Sequence, residues 1–179
     1  ILVIFPYGEI GFTPRDAEGT VKLNGLDRYG LTEEPTELTF KKNKCVEISG
    51  SEVAEDFKAF LKKVEGDNLI MAEFAFGFNP KNRWNTDDPG MTELYFGAGT
   101  LHTALGCQSL RMGELLGDVK KTHIDGIVLE PTLTIGGKKI IDRGKLVILD
   151  RIRKDPKARE RLSRYGDPDQ LLKREGKAT

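Results

Sequence analysis

Histidine is nearly absent from this chain, with only His102 and His123 in 179 residues. Cysteine is equally scarce: Cys45 and Cys107 lie far apart, match no zinc or redox spacing, and are expected as free thiols and not a bridge. Neither sign of charge is in excess, because 28 basic residues balance 28 acidic ones. That removes the global field that recruits nucleic acid or an anionic membrane. No apolar run approaches the ~20 residues that span a bilayer. Ile1 to Phe5 is apolar but lacks the basic flank and length of a signal peptide, so a strand is expected there. Internal repeats, a phosphate-cradling glycine loop and the residue order of a serine hydrolase are all missing. These absences together predict a cytoplasmic protein with no nucleic-acid or membrane partner.

What is present fits a turn-rich globular chain. A hydrophobic fraction of 38% and 20 glycines are compatible with a real core. The pattern predicts an α+β fold: a strand-rich mixed sheet, one clear packed helix and a short helical charged tail. A change of composition after Leu149 divides a domain at residues 1–150 from the tail at 151–179. Asn24-Gly25 carries a hairpin signal. Glu37 to Phe40 and Cys45 to Ile48 alternate around a Lys-Lys-Asn-Lys turn. Ser51 is a candidate N-cap for a helix presenting Val53, Phe57, Phe60, Leu61 and Val64 before Gly66 ends it. In the tail, Asp155 is placed to cap a helix from Pro156 to Tyr165, with another from Pro168 to Arg174. Their few leucines predict docking on a partner or mobility.

The two histidines open short, distinctive runs. His123 and Asp125 are two apart in a β-branched stretch, so on a strand they share one face and reach one cation together. His102 stands between Gly97-Ala98-Gly99 and Gly106, where small residues let the backbone approach a bound group. On pattern alone a core histidine and a ligand both stay open. Two acids tip the balance. Glu73 interrupts the apolar run Leu69 to Phe78, where an unpaired carboxylate is costly unless neutral, paired or bound to metal. Glu9 repeats the situation between Phe5 and Phe12, with an edge-strand carboxylate at a turn as its alternative. Arg83 and Trp84 on a long loop are candidates to grip substrate. Asp87, Asp88 and Glu93 are candidates to hold a substrate amine, against the commoner reading of a solvated loop.

The blocks Pro6-Tyr7-Gly8-Glu9, Ala72-Glu73-Phe74, Gly99 to Gly106 and His123-Ile124-Asp125-Gly126 come in the order and spacing of a known family. In these blocks the chain resembles the thermophilic-type metallo-aminopeptidases, also called aminopeptidase T or leucyl aminopeptidase-like proteins. The resemblance runs from about Phe5 to Leu149. It implies two divalent metals, zinc, cobalt or manganese, held by Glu9, Glu73, His102, His123 and Asp125. It also implies a peptide substrate, a homodimer, and an amino-terminal domain that this chain, which looks like the carboxy-terminal half, does not include. Glu9 or Glu73 is the implied proton relay, and the residues do not say which. One departure concerns catalysis: active members carry a metal-site tyrosine a few residues beyond the first histidine, where this chain reads Cys107 to Met112 without one. The same superfamily includes the 2,5-dihydroxypyridine dioxygenases, in which the matching histidines and aspartate hold one Fe(II), a 2-His-1-carboxylate arrangement. Retention of Glu9 and Glu73 favours two metals. The expected function is thus a metal-dependent aminopeptidase-like hydrolase, with a reduced peptide-binding relative and an Fe(II) dioxygenase as alternatives.

Overall fold

The computed structural model describes residues 2–4, 8–82, 95–106 and 122–173. Eleven strands and four helices lie among them. The strands are β1 (Leu2–Ile4), β2 (Glu9–Phe12), β3 (Gly19–Leu26), β4 (Gly30–Lys41), β5 (Lys44–Gly50), β6 (Met71–Gly77), β7 (Leu101–Gly106), β8 (His123–Val128), β9 (Leu133–Ile135), β10 (Lys138–Asp142) and β11 (Lys145–Leu146). The helices are α1 (Ala54–Lys63), α2 (Val147–Lys154), α3 (Pro156–Ser163) and α4 (Pro168–Leu171).

An eight-stranded sheet in the order β1-β2-β6-β7-β8-β3-β4-β5 dominates, with β9 to β11 forming a small second sheet. The expected strand-rich α+β class is what the chain adopts, and the strand pairings within both sheets are antiparallel. The hairpin β4–β5 turns at Lys42 and Asn43, whose φ angles of 49° and 65° are the left-handed pair that a tight two-residue turn requires. Asn24-Gly25 makes no turn. It lies inside β3, where the register with β4 shifts between Leu23 and Gly25. The Asn24 side chain instead accepts a hydrogen bond from the Leu129 amide at 3.0 Å.

Helix α1 also starts differently from its sequence signal. Val53 occupies the cap position without a side-chain bond, because the Ser51 hydroxyl is buried against Thr36 Oγ1 at 2.6 Å. Phe57 and Leu61 of α1 enter the main core with Leu23, Leu26, Leu38, Phe40, Leu105 and Ile124. In the tail, Asp155 caps α3 by accepting from the Lys157 amide at 2.9 Å. The tail's apolar residues do not wait for a partner: Leu172, with Ile152 and Leu162 beside it, joins Phe76, Ala98, Ile141, Leu146 and Leu149 in a second core. Helix α2 begins at Val147, ahead of the composition change at residue 150. No helix of the described residues is long and apolar enough to cross a membrane.

Candidate metal centre

The site is built by register. Side chains of paired residues in an antiparallel sheet stand on the same face, as do residues two apart on one strand. Glu9 pairs with Gly77 and Gly11 with Ala75; Glu73 pairs with Ala104 and Ala75 with His102. Ala104 in turn pairs with Asp125, and Gly106 with His123. Four adjacent strands, β2, β6, β7 and β8, therefore put Glu9, Glu73, His102, His123 and Asp125 on one face. The residue directly across from each of the five, on at least one neighbouring strand, is glycine or alanine. Those small partners leave the space in which long polar side chains can converge. The alternate positions Ile10, Phe74, Phe76, Leu105 and Ile124 pack into the two apolar cores, so the sheet is polar at its centre on one side and apolar on the other.

The convergence is close. His102 Nε2 lies 3.8 Å from Glu9 Oε2 and 3.8 Å from Glu73 Oε1. His123 Nε2 lies 3.1 Å from Glu73 Oε2 and 3.4 Å from Asp125 Oδ1. Ligand-type atoms of Glu9, Glu73 and His102 lie within 4.8 Å of one another, and so do those of Glu73, His123 and Asp125. Glu73 belongs to both groups, presenting one oxygen to each histidine. Glu9, Glu73 and His102 are buried at 4%, 4% and 3% exposure, whereas His123 and Asp125 are half-buried at the outer side.

The electrostatics of this cluster are under tension. Burial drives the Glu9 carboxyl up to about 7; the nearby His102 opposes the shift, while the Glu73 carboxylate adds to it. Burial would raise Glu73 as well, but hydrogen bonds from both imidazoles outweigh it and hold that carboxyl down at about 2. For His102 burial favours the neutral ring, yet the bond to Glu73 and the charges of Asp125 and Glu9 raise its pKa above the ordinary value. Two polar atoms remain unsatisfied: His102 Nδ1 and Asp125 Oδ1 are buried without a hydrogen-bond partner among the described residues. Three carboxylates and two imidazoles, close together, with Asp125 Oδ1 orphaned among them, fit a borderline divalent cation of the zinc class.

Two residues beside this cluster carry no sequence signal. The Tyr95 ring lies against the His102 imidazole, with centroids 4.8 Å apart. Its hydroxyl donates to Asp27 Oδ1 at 3.0 Å, and the Asp27 amide donates to the Asp125 carbonyl at 2.8 Å. Burial, then the neighbouring Asp125, raises the Asp27 carboxyl. Tyr95 sits seven positions before His102 and Asp27 lies in a turn after β3, so neither falls in a motif or a period. Arg83, Trp84, Asp87, Asp88, Glu93 and Cys107 to Met112 lie outside the described residues. Cys45 is a buried free thiol raised to about 11 by burial, and it is remote from the cluster in the sheet order. A cavity of about 820 Å³ opens on the opposite, apolar face between Phe12, Phe74, Leu101 and Thr103, away from the carboxylates.

No protein-family model and no curated protein sequence matches this chain. Solved structures that share its fold include the following two. One is 2,5-dihydroxypyridine dioxygenase from Pseudomonas putida KT2440, at 18% identity and a TM-score of 0.60, covering 74% of this chain and 40% of that one. The other is wild-type AmpT from Thermus thermophilus, at 19% identity and a TM-score of 0.50, covering 78% of this chain and 39% of that one. The chain thus spans about two fifths of the length of either structure and shares its fold with both; the possible metal-binding cluster lies on the central strands of this chain.

Proposed function

We propose that this chain is a metal-dependent hydrolase of the aminopeptidase type, in which two divalent ions are held by Glu9, Glu73, His102, His123 and Asp125. The observation that carries this reading is Glu73. Its Oε1 faces His102 and its Oε2 faces His123, which makes it the natural shared ligand between two three-residue groups. The triad that the dioxygenase resemblance implies for a single Fe(II), His102, His123 and Asp125, is not one of the two groups that the described residues form. The fold likeness to the AmpT structure supports the hydrolase; the likeness to the dioxygenase keeps Fe(II) chemistry as the second reading.

A pair of divalent ions, when bound, supplies an acidified water and polarises a carbonyl. The protein's own part is to position and to move protons. Glu73 is engaged on both oxygens, so its role is to join the two halves. Glu9 faces only one of the two histidines. We therefore assign Glu9 the proton-carrying role. The half-buried His123 and Asp125 form the side open to substrate.

Elemental analysis of protein purified without chelator tests this reading, together with release of the first residue from short peptides. Two equivalents of zinc, cobalt or manganese and measurable release are expected. One equivalent of iron supports the dioxygenase reading instead, and two ions without turnover support a peptide-binding relative. No ion after reconstitution overturns all metal chemistry here. His102→Ala is expected to reduce the stoichiometry from two ions to one, because only the Glu9, Glu73 and His102 group loses its imidazole; unchanged occupancy refutes the ligand assignment.

A further inference from the structure

A histidine that ligates a metal is ordinarily oriented by a hydrogen bond from its second ring nitrogen to a carboxylate or carbonyl. His102 departs from that arrangement. Its Nε2 faces Glu9 and Glu73, while Nδ1 is buried with no acceptor among the described residues. Something else must hold the ring. Tyr95, buried at 7% exposure, lies against the imidazole at 4.8 Å with the planes inclined by 51°. It also packs with Ile127, the residue that pairs with His102 across β7 and β8.

We infer that Tyr95 is the positioning residue for His102, and that Asp27 tethers it. The phenol donates to Asp27 Oδ1, and Asp27 is fixed in turn by the hydrogen bond that its backbone N–H donates to the Asp125 carbonyl on β8. One short chain of contacts thus runs from the ring of the inner ligand, His102, to the backbone of the outer ligand, Asp125. An aromatic face does the work of a hydrogen-bond acceptor, leaving ring rotation limited by packing. This inference rests on the two-ion reading above.

The test is equilibrium cobalt(II) binding to the full chain after chelator treatment. It is followed by d–d absorption and by competition with a chromogenic chelator, for the wild type, Tyr95→Leu, Tyr95→Phe and Asp27→Ala. Tyr95→Leu removes the ring, and affinity for one of the two ions is expected to fall about 10- to 100-fold, the usual cost of losing a ligand's orienting partner. The other ion, held by Glu73, His123 and Asp125, is expected to stay within about threefold. Tyr95→Phe keeps the ring and cuts the tether, as does Asp27→Ala from the other end; both are expected to lose a smaller, matching factor of about three to ten. Wild-type affinities for both ions in Tyr95→Leu overturn the inference. If that variant fails to fold, wild-type behaviour of both Tyr95→Phe and Asp27→Ala overturns it instead. A uniform loss at both ions in every variant also counts against it, since that is the mark of a general structural role. Wild-type protein that takes up no cobalt refutes the two-ion reading itself, a result distinct from normal uptake that is indifferent to Tyr95.

Discussion

Glu73 shows how much a single residue in a sequence can and cannot disclose. An acid in the middle of Met71-Ala72-Glu73-Phe74-Ala75-Phe76 is conspicuous because charge is expensive among apolar neighbours. Its importance is therefore legible without coordinates. What is not legible is that its two oxygens serve different histidines, since that depends on β6, β7 and β8 lying side by side although they are far apart in sequence. Gly11 was invisible for the same reason. A methyl group there would come within 2.9 Å of Glu73 Oε1 and 3.1 Å of the Ala75 methyl. Gly11→Ala is therefore expected to displace the Glu73 carboxylate and weaken metal binding by about tenfold, roughly 1.4 kcal/mol, with the fold kept. Isothermal titration with zinc checks this, and an unchanged dissociation constant would show that the carboxylate has room to move.

At the scale of elements, the local patterns that reported truly were those carried by neighbouring residues. The β4–β5 turn and the capped helix α3 were both visible, because turn and cap chemistry act over two to four positions. Asn24-Gly25 and Ser51 misled because a tertiary partner competes for each side chain: the Leu129 amide takes Asn24, and Thr36 takes Ser51. Helix α1 is held by packing and not by its cap, which makes Phe57 its main anchor at 0% exposure. Phe57→Ala is expected to cost about 3 to 5 kcal/mol of stability, read as a lower urea midpoint with an unchanged slope. A loss below about 1 kcal/mol would mean the core collapses around the vacancy.

Across the whole molecule, the buried acids and His102 set how stability responds to pH. Without metal, Glu9 has its pKa raised by folding from 4.5 to about 7. A carboxyl shifted upward contributes stability that is present below its ordinary value and lost as pH climbs to the folded value. His102, also raised, works in the same direction. Glu73, lowered to about 2, contributes stability above 4.5 that disappears as pH falls toward its folded value. Chelator-treated protein is therefore expected to melt at a lower temperature at pH 7 than at pH 5, by several degrees, since each kcal/mol is worth about 2 to 4 °C in a chain of this size. Differential scanning calorimetry at the two pH values decides it, and a melting point that rises from pH 5 to 7 refutes the account. Metal affinity should climb over the same interval, because loading the site displaces the proton on Glu9.

The row of glycines and alanines facing the five candidate ligands has a further meaning for how this chain stays folded. The space they leave cannot be closed by collapse, because the ladder bonds of four strands fix the distance between them. Among the described residues the apolar filling on that face is supplied by Tyr95 and Ile127 with a few partly buried neighbours, so an ion seated among the carboxylates would serve as a keystone. Free-ligand linkage then applies: a tenfold rise in free metal above the dissociation constant adds about 1.4 kcal/mol per ion to the folded state. A thermal-shift series across divalent cations would thus rank them by affinity before any substrate is known.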